Sequence, residues 1–194
     1  MASETAVMQR LAGWVFAASE ENWDALFVEQ LPRVYNFFRY RVGHGPEAED
    51  LTSIAFEKAW QARHRYRRDL AGFTTWLLAI ARNVAIDHYR KRRETVPLEA
   101  ARDVAGGAAP DEIAERRSDR DRLAVLLETL PERERELVAL KYGAGMTNRA
   151  IARLTGLGES NVGTLLHRTV ARLREQWDEG ATTNPEISAR HARS

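Results

Sequence analysis

The chain has 194 residues, a formal net charge of +1 at pH 7 and no cysteine. This length suits one large domain or two small ones, and the lack of cysteine excludes disulfides and thiolate metal sites and fits a reducing compartment. The apolar segment at residues 11–18 is too short to cross a bilayer and follows no basic signal-peptide region. The sequence therefore predicts neither membrane insertion nor export and favours the cytoplasm.

The near-neutral total charge conceals a segregated distribution. Acidic residues dominate at 94–136, whereas between residues 61 and 93 only Asp69 and Asp87 oppose the bases Arg63, Arg65, Arg67, Arg68, Arg82, Arg90, Lys91, Arg92 and Arg93. Bases clustered on one element are typical of a nucleic-acid-binding surface. A solvated charged face gives the same pattern, so charge alone leaves both interpretations open.

Apolar periodicity predicts helices in the first half of the chain, without the period-two alternation of a strand. Residues 4–19 predict an amphipathic helix, and residues 23–42 predict a second helix that Pro32 should bend or interrupt. A third helix is predicted over 46–63, because Gly43 suits the end of the preceding helix and Pro46 suits the start of this one.

The segment at residues 73–93 is predicted to form one helix that begins apolar and aromatic and ends cationic. Aromatic residues at helical spacing are most often core, which favours packing roles for Trp60 and Trp76. Aromatic residues between bases can also stack on unpaired nucleotides, and for Tyr66 both interpretations stay open.

Glycine, proline and the lack of an apolar period predict a flexible linker over residues 94–111. Further helices follow at 113–130 and from Pro131 onward. Residues 147–174 have the form of a helix-turn-helix, with a short helix, a glycine turn and a longer helix. The outer face of the longer helix carries residues that suit base edges and phosphates, although an ordinary helical hairpin would look alike.

Little in the sequence suggests catalysis. The five histidines lack metal-ligand spacing, and the adjacent Asp87 and His88 point about 100° apart on a helix. Neither glycine-rich turn, at 143–145 or 156–158, matches a phosphate-binding fingerprint. We therefore expect no enzyme activity, no cofactor and no metal.

Three ordered motifs resemble the bacterial RNA polymerase sigma factors of the sigma-70 superfamily, specifically the short extracytoplasmic-function (ECF) group. Residues 48–60 (AEDLTSIAFEKAW) are similar to its polymerase-binding helix, and residues 73–93, with Trp76-Leu77 and Ile80-Ala81-Arg82-Asn83, to its promoter-melting segment. Residues 130–174 resemble its −35 recognition domain. The resemblance implies core RNA polymerase and promoter DNA as partners, and an anti-sigma factor is common in this group.

The resemblance also implies three sets of site residues. The polymerase-binding set is Glu49, Asp50, Ile54, Phe56, Glu57 and Trp60. The −10 set is Arg63, Arg65, Tyr66, Arg67, Arg68, Arg82, Asn83, His88, Arg90, Lys91, Arg92 and Arg93. The −35 set is Thr147, Asn148, Arg149, Ser160, Asn161, Gly163, Thr164, His167, Arg168 and Arg172.

The expected protein is thus all-α, with two helical domains joined by a flexible linker and a helix-turn-helix in the C-terminal domain. The predicted parts are an N-terminal helix (1–22), a first domain (23–95), a linker (96–112), a second domain (113–177) and a polar tail (178–194). The alternatives are a stand-alone helix-turn-helix regulator of duplex DNA and an adaptor that binds only proteins.

Overall fold

The computed structural model of the chain describes residues 23–43, 45–95 and 112–182. Every regular element in these residues is helical, which confirms the all-α prediction. The predicted helix at 4–19 lies outside the described residues, as do residues 96–111 of the predicted linker, whereas residues 94 and 95 end one helix and residue 112 begins the next. The elements are α1 (Trp23–Val42), α2 (Pro46–Gln61), a 3-10 turn (Arg63–Arg65), α3 (Phe73–Thr95), α4 (Glu112–Glu128), α5 (Glu132–Val138), a π-helical turn (Ala139–Gly143), α6 (Asn148–Thr155) and α7 (Glu159–Thr182).

Helices α1, α2 and α3 form the first domain around an aromatic core. Phe27 lies at its centre, with ring centroids 5.2 Å from Phe56 and 5.9 Å from Phe73. The ring of Tyr66 lies 5.2 Å from that of Trp76 and 5.6 Å from that of Phe73. Tyr66 and Trp76 therefore pack on the end of this core, which anchors the start of α3.

Pro32 does not interrupt α1, so that part of the prediction was wrong. The helix is continuous from Trp23 to Val42 with Pro32 inside it. A proline removes one backbone hydrogen bond, here to the carbonyl of Val28, whose residue is 51% exposed and open to water. Burial of the neighbouring Leu31 and Val34 holds the helix on the core and offsets that loss.

The second domain comprises α4 to α7, and α6 and α7 form the predicted helix-turn-helix. Thr147 caps α6 by accepting a hydrogen bond from the backbone N–H of Ala150 at 3.2 Å. Gly156 ends α6 in the left-handed region, with φ of 76°. Helix α7 continues to Thr182, beyond the boundary predicted at residue 177.

The two domains pack against each other through α1 and the π-helical turn. Their buried side chains form one continuous apolar cluster that includes Phe37 and Phe38 of α1 and Leu140 of the turn. At Gly143 the backbones approach so closely that a Cβ atom there would lie 2.8 Å from the carbonyl oxygen of Asn36. This packing brings the helix-turn-helix beside α3.

Candidate functional site

The outer face of α2 is acidic with one apolar residue. Asp50, Ile54 and Glu57 are exposed and lie on one side of the helix at spacings of four and three residues. Ile54 is 40% exposed, and Glu57 accepts a hydrogen bond from Gln61 at 3.1 Å. An exposed isoleucine between carboxylates suits a protein partner better than it suits DNA, because DNA repels the carboxylates.

One residue that was predicted to contact the polymerase lies on the inner face of α2. Phe56 is only 6% exposed and packs on Phe27, so it belongs to the core and not to a docking surface. Trp60 is half-buried, and the guanidinium of Arg63 lies 4.1 Å from its ring centroid. Because Arg63 also donates to the Trp60 carbonyl at 2.8 Å, this arginine fixes the end of α2. Glu49 is half-buried at the start of the helix.

The connection between α2 and α3 exposes a small basic surface. Arg67 donates two hydrogen bonds to Asp69, at 3.0 and 2.8 Å. The pair lowers the pKa of the Asp69 carboxyl and raises the pKa of the Arg67 guanidinium. Since these charges largely cancel, the exposed Arg65 and Arg68 carry the positive charge of this loop.

Further predicted −10 residues lie along α3. Asn83 and Arg90 are exposed on one side, and Arg90 pairs with Asp87 at 3.3 Å. The Nε2 atom of His88 lies 3.0 Å from a Glu47 carboxylate oxygen, without hydrogen-bond geometry. Lys91 and Arg92 are exposed, and the side chain of Arg93 lies outside the described part of the chain.

Arg82 is held by the second domain. Its Nε donates to Oε1 of Glu136 at 2.9 Å and its Nη2 to Oε2 at 3.4 Å.

Nearby, the buried Arg41 donates to the Glu132 carbonyl at 2.9 Å, and its guanidinium lies 4.8 Å from the Tyr89 ring centroid. Burial lowers the pKa of Arg41, whereas Tyr89 and the two glutamates act in the opposite direction. Sequence patterns did not predict these two contacts, because the residues that they join lie 54 and 91 positions apart in the chain.

The first half of α7 presents a polar face to solvent. The spacing of its members places them on one side of the helix, and Thr164 donates to the Ser160 carbonyl at 3.0 Å. Short polar side chains near a helix N-terminus can approach base edges, while an arginine further along can reach a phosphate. The exposed residues of this face are Ser160, Asn161, Thr164, His167 and Arg168.

Two predicted −35 residues lie away from this face. Gly163 faces α6, since a Cβ there would lie 3.5 Å from the amide nitrogen of Asn148. Arg172 pairs with Glu134, which also accepts a hydrogen bond from Thr169 at 2.9 Å. The structure therefore gives both residues packing roles within the domain.

Helix α6 contributes exposed bases beside the recognition face. Arg149 is exposed and its Nε lies 3.3 Å from a Glu159 oxygen. Arg153, which the sequence analysis missed, is exposed one turn later. Its spacing of four residues from Arg149 was the available signal, because such residues share a helix face.

Thr147 is expected to stabilise α6 as its N-cap residue rather than to contact DNA. Thr147→Ala should lower the free energy of unfolding of the second domain by about 1 kcal/mol, because the Ala150 N–H loses its acceptor. Thr147→Ser keeps the acceptor and should restore most of that loss. Urea unfolding followed by circular dichroism measures both variants. Equal stability of the alanine variant and the original chain would exclude the cap as a stabilising contact.

Comparisons with known proteins agree with this arrangement. The Sigma-70 region 2 family matches residues 26–95, and the Sigma-70 region 4 family matches residues 120–173. RNA polymerase sigma factor CarQ of Myxococcus xanthus is 31% identical over 159 residues, which are 81% of this chain and 90% of CarQ. The chain belongs to the sigma-70 family. ECF RNA polymerase sigma factor BldN of Streptomyces coelicolor is 29% identical over 180 residues, which are 88% of this sigma factor and 66% of BldN.

A solved structure shares the fold of this sigma factor. The sigma factor RpoE from Bartonella quintana, in complex with the anti-sigma factor NepR, matches 82% of this chain and 98% of its own, with a TM-score of 0.63 and 20% identity. Region 2 corresponds to the first domain here and region 4 to the helix-turn-helix domain. This protein is therefore a promoter-recognising sigma factor of the ECF group. The presence of both region 2 and region 4 in one chain does not favour the alternative function, a stand-alone helix-turn-helix regulator.

Within the described parts of the sigma factor, no helix combines the length and the apolar character needed to cross a bilayer. In the same residues, no three histidine, aspartate or glutamate side chains gather as ligands of a metal ion would.

Proposed function

We propose that this sigma factor docks on core RNA polymerase through the outer face of α2 and contacts promoter DNA through the loop before α3 and through α3, α6 and α7. The observation that carries the proposal is the separation of these surfaces. The acidic and apolar face of Asp50, Ile54 and Glu57 is on the first domain, and the polar face of α7 is on the second. One chain can therefore bind a protein and DNA at the same time.

The loop before α3 and the outer side of α3 are assigned to the −10 element. Extruding a base from the duplex costs about a few kcal/mol, which nearby positive charge and stacking can offset. Arg65 and Arg68 supply unpaired charge, and the exposed Asn83 can contact a base edge. Tyr66 and Trp76 support this surface from the core side.

The exposed face of α7 is assigned to the −35 element in the major groove. Asn161 and His167 can hydrogen-bond to base edges, and Arg168 can bind a phosphate. Arg149 and Arg153 on α6 lie where the first helix of such a motif crosses the DNA backbone.

Bond formation in transcription belongs to the polymerase, so we assign this sigma factor no catalytic role, cofactor or metal. Its partners place its action in the cytoplasm. Because the related RpoE binds the anti-sigma factor NepR, we extend the hypothesis of an anti-sigma partner to this chain.

Transcription in vitro tests the function. Core polymerase with the purified chain is expected to initiate at defined positions on upstream regions of the source genome, whereas core polymerase alone should not. Transcript ends mapped by sequencing give the start sites. No specific transcript at saturating protein would refute the proposal. A footprint on duplex DNA without polymerase would instead support a stand-alone regulator.

A further inference from the structure

Helix α1 is apolar on a second side, away from the core that it helps to form. Ala25, Val28 and Pro32 are exposed there, with Val28 at 51%, and Tyr35 is half-buried. These residues follow one another at spacings of three, four and three, so they share one side of the helix. A helix with two apolar sides normally packs against a further element with the second one.

The spacing on this side is that of a heptad and continues to Arg39, four residues beyond Tyr35. The Arg39 guanidinium lies 5.8 Å from the Tyr35 ring centroid and donates a hydrogen bond to the Asn36 side chain at 3.3 Å. Alternate spacings of three and four are typical of helices that pack side by side. We call this set the outer stripe; its members are Ala25, Val28, Pro32, Tyr35 and Arg39.

The segment that precedes α1 carries a matching pattern. Within residues 4–19, spacings of four, three, four and three connect Glu4, Met8, Leu11, Val15 and Ala18. This is the order of spacings in the outer stripe read backward, as an antiparallel neighbour requires. A helix over these sixteen residues would be about 24 Å long, and the outer stripe extends over about 21 Å. The segment is therefore long enough to cover the stripe.

The two patterns also agree in register. Residues 20–22 separate the predicted helix from the start of α1 at Trp23, and antiparallel helices are commonly joined by two to five residues. If the chain folds back at this connection, each member of one pattern lies opposite a member of the other. The resulting pairs are Ala18 with Ala25, Val15 with Val28, Leu11 with Pro32, Met8 with Tyr35 and, with opposite charges, Glu4 with Arg39.

Pro32 gives the outer stripe one polar requirement. It provides no N–H for the carbonyl of Val28, four residues earlier in α1. Covering that carbonyl with apolar surface would cost free energy unless a donor replaced the water on it. In the segment, Trp14 is adjacent to Val15, the counterpart of Val28, and its indole N–H is a donor. The sequence therefore supplies a donor together with the apolar residues.

We propose that residues 4–19 pack as an antiparallel helix along the outer stripe and add a fourth helix to the first domain. Because a short connection joins the segment to α1, its effective concentration at the stripe is about millimolar. This favours the segment over a second copy of the chain or a separate protein. The inference is independent of the proposed function, because α1 carries none of the surfaces assigned to polymerase or DNA.

Oxidation of introduced cysteine pairs tests the register. The chain has no cysteine, so Val15→Cys with Val28→Cys provides one defined pair at counterpart positions. The control combines Val15→Cys with Arg33→Cys, an exposed position about 140° around α1 from Val28. Because a disulfide needs Cα atoms within about 7 Å, the first pair should close within one chain about tenfold faster than the control. Equal rates, or disulfides that join two chains, would overturn the packing.

Hydrogen exchange measured by mass spectrometry tests whether the outer stripe holds the segment. Amides at residues 7–18 should exchange about tenfold more slowly than in the unfolded chain. Val28→Asp should remove this protection, whereas the matched change Val125→Asp on α4 should leave it intact. Both valines are exposed, at 51% and 61%, so both variants should keep their buried cores. Absent protection in the original chain, or protection that survives Val28→Asp, would refute the proposal.

The outcomes separate this inference from the proposed function. Both measurements use the free chain, without polymerase or DNA. A protected segment in a chain that directs no specific transcription would support the packing and refute the sigma-factor function. An unprotected segment in a chain that directs specific transcription would have the opposite meaning.

Discussion

A chain carrying Asp50→Lys and Glu57→Lys is expected to bind core RNA polymerase about 100-fold more weakly, a change of about 3 kcal/mol. Both side chains are exposed on the outer face of α2, on either side of the exposed Ile54. Reversing their charge places like charges at the proposed interface, which costs several kcal/mol when the partner surface is basic. Fluorescence anisotropy of the labelled chain against core polymerase measures the affinity.

The matched control reverses two exposed acids elsewhere, Asp121→Lys on α4 and Glu175→Lys on α7. It makes the same change in net charge and should leave the affinity within about threefold, because exposed substitutions away from an interface have small effects. Circular dichroism and thermal melting show whether both variants fold. Equal losses in the two variants would mean that net charge, and not the face of α2, controls binding.

Local signals predicted much of the fold. Gly43 adopts a φ of 89° at the end of α1, and Pro46 begins α2, as the sequence indicated. Thr147 caps α6 and Gly156 ends it, so the helix-turn-helix could be placed to the residue. These signals lie within a few residues of the feature that they determine, which is why one sequence suffices to detect them.

Contacts between distant segments could not be predicted in this way. In the sequence Gly143 belongs to a glycine-rich turn, whereas the structure uses its missing side chain for a backbone contact with Asn36. The resemblance put Phe56 in the polymerase-binding set, and its position in the core could not be predicted because it depends on where α1 lies. The Arg82–Glu136 pair joins two domains, and nothing periodic in the sequence relates them.

On α7, Asn161→Ala and Arg168→Ala are expected to weaken promoter binding in different ways. Loss of a base contact at Asn161 should weaken the free energy of binding by about 1–3 kcal/mol on DNA with the preferred −35 sequence, and by much less on DNA with a scrambled one. Loss of a phosphate contact at Arg168 should weaken binding to both sequences and reduce the slope of log affinity against log salt by about 1. Holoenzyme binding to both duplexes across a salt series measures these effects.

Two arginines further along the same helix serve as controls because they lie beyond the first half of α7, which is the part assigned to the groove. Arg174 is exposed but lies six residues, about 9 Å, beyond Arg168 along α7, so Arg174→Ala should leave affinity and salt slope unchanged. Arg172 is paired with Glu134 inside the domain, so Arg172→Ala should reduce stability and leave sequence preference intact. If Arg174→Ala changed the salt slope as much as Arg168→Ala, the contact of α7 with DNA would not be confined to the first half of the helix, and the assignment of Asn161, His167 and Arg168 as its centre would be wrong.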